Sequence, residues 1–358
     1  MLRLIVSCGA LTSGGAERVL SILSRQFADN FDEVVYVMWV DAPVFYHIDE
    51  RVKIISIEKE AGSRFILTKM RWFRSFIKDY APAAVLSFLT PFNMLVELST
   101  IGLNTKVIVA ERNDPSKIPG GRIMSMTRNL LYRRAAGILV QTEFAGSCFP
   151  VSLADKIHVI HNPIIMEESS VGKAKRSVKE NTIVSVGRLT PQKDQKTMID
   201  AFSSFRLYHP DYRLVIYGTG PYRNELEQYI KAKGLESNVF LPGEVKNVWD
   251  HISSARMFVL TSIMEGMSNA LIEAMCLGLP VISTKVAGST DLIKDDVNGY
   301  LVNIGDVDAI TSRMSLLASN PDKADEISTE AVKVYDMLKS EVILPQWIKY
   351  LNLIIDKK

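Results

Sequence analysis

The sequence predicts an α/β fold of two Rossmann-like domains, each built on a doubly wound parallel sheet. Three observations lead there. Short, near-continuously apolar runs rich in β-branched residues alternate with longer amphipathic segments along the whole chain, as expected of strands buried on both faces and joined by helices. The alternation stops once, over the polar stretch 166–176, and then restarts. The length of 358 residues suits two domains at roughly 150 residues each.

In the first half the expected strands are 2–8, 33–40, 52–57, 83–88, 106–110, 137–141 and 157–160. In the second they are 182–186, 213–217, 239–241, 257–261, 280–283 and 299–302. The stretch 166–176 contains few large apolar groups and reads as a linker. The domains are therefore expected at 1–163 and 164–341. The tail from about 342 to 358 carries Trp347, Ile348, Leu351, Ile354 and Ile355 at helical spacing. It is an amphipathic helix that needs a surface to pack on.

Composition narrows the function classes. Hydrophobic content of 47% and charged content of 23% describe a globular chain. A formal charge of +2 gives no basis for nucleic-acid binding. Three cysteines lie far apart, and none of the five histidines has metal-ligand spacing, so neither a disulfide framework nor a metal site is expected. The cysteine usage fits a reducing cytoplasm. The opening residues 1–9 read as a buried strand, since a signal peptide needs a longer apolar core. No apolar run approaches the ~18 residues of a membrane span.

Three motifs carry candidate chemistry. The first, Thr12-Ser13-Gly14-Gly15-Ala16-Glu17-Arg18, follows the first strand and opens a helix. Free backbone N–H groups and the positive end of a helix dipole suit a diphosphate there; a plain tight turn accounts for the same residues. The motif is not Gly-x-Gly-x-x-Gly, which disfavours NAD. The second is Val186-Gly187-Arg188-Leu189-Thr190-Pro191-Gln192-Lys193. It places Arg188 and Lys193 just past a strand end, where open α/β sheets bind ligands. Two cations there can stabilise a diphosphate leaving group, although surface Arg and Lys are more often merely solvated. The third runs from Ser262 through Glu265-Gly266-Met267-Ser268-Asn269 to Glu273. Ser268 is a good N-cap and Gly278 a good helix stop. The backbone of Gly266, Met267, Ser268 and Asn269 then points at the sheet edge, with Glu265 in the loop and Glu273 within the helix.

In order and spacing, these motifs resemble glycosyltransferase family 4 over almost the whole chain. The resemblance implies a GT-B fold: two Rossmann-like domains with a cleft between them and a C-terminal helix crossing back to the first. It implies that Gly14 and Gly15 touch the donor phosphate and that Arg188 and Lys193 hold the diphosphate. Glu265 and Glu273 match the family's Glu-x7-Glu signature, with the first glutamate by the donor sugar and the second on the ribose. Leu241-Pro242-Gly243-Glu244-Val245 looks like the base-binding loop, Tyr217-Gly218-Thr219-Gly220 like the Gly-x-Gly turn, and His161-Asn162-Pro163 like the turn ending the first domain. The activity implied is metal-independent, retaining transfer of a sugar from a nucleotide diphosphate, with uracil as the expected base, to a lipid-linked or glycan acceptor in cell-envelope polysaccharide synthesis. One departure stands out: Arg112, in Glu111-Arg112-Asn113-Asp114-Pro115, sits where many members carry a histidine facing the donor sugar. It is expected to hold the sugar or phosphate instead. Gly187 and Gly218 complete the expected donor contacts.

Asp306-Val307-Asp308 resembles a metal motif of a different fold, but Asp306 reads better as a helix N-cap. Segment 63–80 carries Arg64, Lys69, Arg71, Arg74 and Lys78 among large apolar residues, and 121–134 adds four more arginines. A basic amphipathic helix suits an anionic membrane surface, and Lys69, Arg71, Arg74 and Lys78 are the candidate membrane or acceptor contacts. A core-facing helix with solvated charges explains the same pattern. The expected location is cytoplasmic, peripheral to the inner membrane face. Two competing functions share the fold, a nucleotide-sugar epimerase and a non-catalytic nucleotide-sugar-binding module.

Overall fold

A computed structural model describes residues 1–357. The chain divides into two compact units, one formed by Met1–Pro163 with Ser340–Lys358, the other by Ile164–Lys339. The first unit is built on seven strands: β1 (Arg3–Cys8), β2 (Glu33–Met38), β3 (Lys53–Ser56), β4 (Ala84–Phe88), β5 (Val107–Ala110), β6 (Gly137–Val140) and β7 (Ile157–Val159). All pairings are parallel, in the order β3-β2-β1-β4-β5-β6-β7. Strand order therefore reverses between β1 and β4, which opens a crevice at their carboxyl ends.

Four main helices of this unit are α1 (Gly15–Asn30), α2 (Ile66–Tyr80), α3 (Thr90–Ser99) and α4 (Arg122–Tyr132). Helix α3 packs between α2 and α4, while α1 lies beside the C-terminal helix Ser340–Asp356. The apolar stripe of that last helix, Ile343, Trp347, Ile348, Leu351 and Ile354, is buried. Each such side chain contributes about 1.5–3 kcal/mol when fully buried, which explains why it forms part of the first unit. Trp347 stacks on Phe88 at 5.9 Å between centroids and 9° between planes. Tyr350 stacks on His158 at 4.7 Å. A Cβ on Gly137 would lie 2.1 Å from Tyr350 Oη, so only glycine admits that ring. Lys106 Nζ donates to the carbonyls of Ile354 and Ile355 at the helix end, where cations offset the dipole.

The second unit holds β8 (Thr182–Val186), β9 (Arg213–Tyr217), β10 (Val239–Gly243), β11 (Met257–Leu260), β12 (Val281–Thr284) and β13 (Tyr300–Val302). They form a parallel sheet in the order β10-β9-β8-β11-β12-β13, with its switch point between β8 and β11. Its helices include α5 (Gln195–Arg206), α6 (Arg223–Ala232), α7 (Asn269–Leu277) and α8 (Val307–Ser319). Asp306 caps α8 by accepting from Ala309 N at 3.0 Å.

The stretch 166–176 is not a free linker. It forms two short turns of helix, Glu168–Ser170 and Lys173–Arg176. Met166 and Ala174 are buried, Gly172 N donates to Cys276 O, and Lys175 Nζ donates to Thr329 Oγ1. Small and polar groups anchor it, so it lacks the apolar signal by which a packed segment is read.

Candidate functional site

In the second unit the loops after β8 and β11 flank the switch point. Gly187 and Arg188 directly follow β8, and Lys193 ends the short turn Pro191–Lys193. The loop after β11 carries Ser262 and Glu265 and leads into α7. The two loops are stitched together. Gln192 Nε2 donates to Met264 O at 2.7 Å, Ile263 N donates to Gln192 O, and Thr261 Oγ1 donates to the carbonyls of Lys193 and Asp194. This brings Lys193 Nζ into a short ion pair with Glu265 Oε1, whose side chains are only 18% and 10% exposed. Ser262 Oγ donates to the same carboxylate oxygen at 2.6 Å. Arg188 is exposed, and none of the described residues pairs with its guanidinium.

Ser268 caps α7 through Leu271 N, and Gly278 ends it at φ 81°. The uncapped N–H groups of its first turn face the same sheet edge. Glu273 is buried one turn inside. Gly288 makes room for this loop: a Cβ there would meet Gly266 O and Met267 Cα at 2.6 Å. The β9 loop closes over Gly187 just as tightly. Gly218, at φ +134°, would place a Cβ 2.0 Å from Gly187 O. Gly218 N donates to Gly243 O, which sets the β10 loop and Val245 at the same edge. The structure thus gathers Gly187, Arg188, Lys193, Gly218, Val245, Glu265, Gly266, Met267, Ser268, Asn269 and Glu273 at one edge of one sheet. Two cations and a helix N-terminus can hold an anionic group there, and the carboxylates can accept from hydroxyls.

In the first unit, Gly14 is the N-cap of α1 with no side-chain cap, and Gly15 begins the helix. A Cβ on Gly14 would collide with Glu17 Oε2. Arg112 follows β5 and is 6% exposed. Its guanidinium carbon lies 4.8 Å from the Trp347 ring centroid and 5.1 Å from that of Phe88. Its Nη1 reaches Asn162 Oδ1 at 3.4 Å, and Gln141 Nε2 holds the same oxygen at 2.9 Å. Burial lowers the Arg112 pKa to about 9. Its neighbour Glu111 is fixed by Thr90 and Tyr132, with its pKa raised by burial. Sequence reasoning missed Phe88, Gln141 and Trp347 as neighbours of Arg112. Asn162 entered only as part of a turn.

The basic helices need correction. Lys69 is buried, donating to Trp39 O at 2.8 Å and pairing with Glu58 at 2.7 Å, so it is a strut and not a membrane or acceptor contact. Arg74 Nη1 is tied to the carbonyls of Ser99 and Ile101. Arg128 is buried and donates to the carbonyls of Pro115 and Ile118. Arg71 and Lys78 remain exposed. The free apolar surface lies elsewhere: Phe65 is 80% exposed and Leu67 66%, at the start of α2, and Ile123 79% and Met126 63%, at the start of α4. Helices of parallel α/β units return antiparallel to their strands, so both starts lie at the carboxyl edge of the sheet.

Comparison with known proteins bears on both units. The family model described as "Glycosyl transferases group 1" matches residues 167–334, most of the second unit. A Campylobacter jejuni protein named GalNAc-α-(1→4)-GalNAc-α-(1→3)-diNAcBac-PP-undecaprenol α-1,4-N-acetyl-D-galactosaminyltransferase is 26% identical over 359 residues, covering 98% of each chain. A second from that organism, N-acetylgalactosamine-N,N′-diacetylbacillosaminyl-diphospho-undecaprenol 4-α-N-acetylgalactosaminyltransferase, is 27% identical over 82% of this chain and 84% of its own. The crystal structure of Anabaena HepE with UDP and glucose superposes with a TM-score of 0.82 at 17% identity, over 99% of this chain and 100% of the other. Staphylococcus aureus TarM with UDP superposes at 0.81 and 15% identity over 98% and 100%.

Proposed function

We propose that the chain, a glycosyltransferase of GT-B fold whose motifs resemble those of family 4, moves a sugar from a UDP-sugar to a polyprenyl-diphosphate-linked glycan, with retention of anomeric configuration. The observation that carries this reading is the gathering of Arg188, Lys193, Glu265 and Glu273 with the α7 N-terminus at one sheet edge. In this reading Arg188 and Lys193 stabilise the charge that builds on the departing diphosphate. Glu265 and the backbone of Gly266, Met267, Ser268 and Asn269 position the sugar, and Glu273 holds the ribose. Gly14 and Gly15, at the N-terminus of α1, give the first unit backbone donors of the kind that suit an anion. The acceptor hydroxyl enters on the face the diphosphate leaves, so positioning and leaving-group stabilisation carry the reaction. Cations already serve the diphosphate, so the mechanism is metal-independent.

The acceptor class is supported by the undecaprenol-linked substrates in the names of the two Campylobacter relatives. It is supported further by the exposed apolar tips of α2 and α4. Neither 61–78 nor 115–142 contains an acidic residue, whereas Arg64, Arg71, Lys117 and Arg122 accompany the tips. No helix among the described residues is long and apolar enough to cross a membrane. The protein would dock peripherally on the cytoplasmic face through these tips.

The test is a thermal-shift screen of nucleotide sugars. A bound donor at 100 times its dissociation constant adds about 2.7 kcal/mol to stability. Wild type should be stabilised by UDP and UDP-sugars. Glu273→Ala should lose roughly 1.5–3 kcal/mol of UDP binding, as for a hydrogen bond to a charged group. An undiminished UDP response in Glu273→Ala would place the ribose elsewhere.

A further inference from the structure

We propose that Arg112 forms the centre of an oxyanion site within the first unit, which takes a phosphate group of a substrate through the side fork of its guanidinium. The site is built in three parts. First, Arg112 is 94% buried by its 6% exposure, yet its Nε and Nη2 have no hydrogen-bond partner. These two nitrogens form the edge of the guanidinium whose N–H groups run parallel and match two oxygens of a phosphate or carboxylate. The third nitrogen, Nη1, is already directed to Asn162 Oδ1. The fold therefore anchors one end of the guanidinium and leaves the bidentate edge, though enclosed, without a partner among the described residues.

Second, the guanidinium carbon packs over the Phe88 and Trp347 rings, themselves stacked on each other. Such packing removes the rotamer freedom a flexible cation would lose on binding. Trp347 Nε1 is a further buried donor without a partner, and Gln141 Oε1 a buried acceptor without one. Gln141 is held beside Arg112 through their shared contact, Asn162.

Third, no carboxylate among the described residues forms an ion pair with the guanidinium. Burial lowers the Arg112 pKa. The adjacent Glu111 is engaged by Thr90 and Tyr132. A buried cation without a counter-ion destabilises the fold, so the position fits ligand binding better than packing.

Oxyanion binding can be measured without any sugar substrate. Naming the owner of the phosphate, donor or acceptor, rests on the glycosyltransferase reading. Thermal unfolding of the full chain is followed with inorganic phosphate as the probe, against sodium chloride at matched ionic strength. Wild type should show a phosphate-dependent rise in midpoint that Arg112→Met diminishes, leaving only the share owed to Arg188 and Lys193, while Glu273→Ala keeps it in full. Arg112→Lys retains the charge without the fork and should bind phosphate at least tenfold more weakly than wild type. A rise undiminished in Arg112→Met overturns the proposal, and so does a wild type that ignores phosphate. UDP titration of the same variants separates the sources. UDP affinity that falls with phosphate affinity assigns the group to the donor. Unchanged UDP affinity with a raised acceptor KM assigns it to the acceptor, and both outcomes keep the site. Failure of the donor-site reading shows independently, as an unchanged UDP response in Glu273→Ala.

Discussion

Lys193 and Glu265 are 72 residues apart in sequence and form one ion pair, so removing either leaves the other stranded. Breaking a fully buried pair by deleting one partner costs about 3–5 kcal/mol. Here the side chains are 18% and 10% exposed, and Ser262 still donates to the carboxylate. The expected cost of Lys193→Ala is therefore nearer 1–3 kcal/mol. Glu265→Gln strands the ammonium instead but keeps an acceptor for Ser262, and should cost less. In Lys193→Ala with Glu265→Gln no uncompensated charge remains, so the double variant should be more stable than the sum of the single changes predicts. Turnover should behave differently. Lys193→Ala should lower it about a hundredfold, as for a lost transition-state charge stabiliser, and the second substitution should not restore it. Urea unfolding of the four proteins measures the first effect and initial rates the second. Strictly additive stabilities would refute the pairing, and a double variant that regains near-normal turnover would refute the role of Lys193 on the diphosphate.

Three other outcomes are expected. Activity should persist in excess EDTA; loss restored by Mn²⁺ or Mg²⁺ would contradict a mechanism resting on Arg188 and Lys193. Burial raises the Glu97 pKa to about 7, opposed by Arg134. The native state then holds that proton longer than the unfolded one, so stability falls as pH rises from about 4.5 to 7 and stays lowered above. Glu97→Gln should gain on the order of 3 kcal/mol at most near pH 8 and nothing near pH 4, and equal gains at both would be inconsistent with this. The chain should pellet with anionic vesicles at low salt and release at high salt, and Phe65→Ser with Ile123→Ser should weaken pelleting without loss of fold; an unchanged double variant would move the docking surface elsewhere.

The strands were legible because a buried parallel strand shows as a near-continuous apolar run, as in β2, β5, β6 and β11, while the edge strands β3, β7 and β10 are partly exposed and show it less cleanly. Ser268 and Gly278 were legible as the cap and stop of α7 because turn chemistry is local. What was not legible depended on which neighbour a polar group finds. Lys69, Arg74 and Arg128 look like solvated or lipid-facing cations in a helical stripe, yet each reaches carbonyls presented by another segment. The pairing of Arg112 with Trp347 spans the two ends of the first unit's chain, and no spacing rule reaches so far. The stretch 166–176 misled for the opposite reason: small residues such as Ala174 bury fully without an apolar signal.

The central claim is transfer of a sugar to an acceptor by the constellation around Arg188, Lys193 and Glu265. It is tested most directly by following UDP release from a UDP-sugar with and without a polyprenyl-diphosphate-linked glycan. The account predicts release only when acceptor is present, one UDP for each glycosidic bond formed, and near-complete loss in Arg188→Ala. An altered sugar nucleotide formed without acceptor, or donor binding with no turnover on any glycan acceptor, would contradict it.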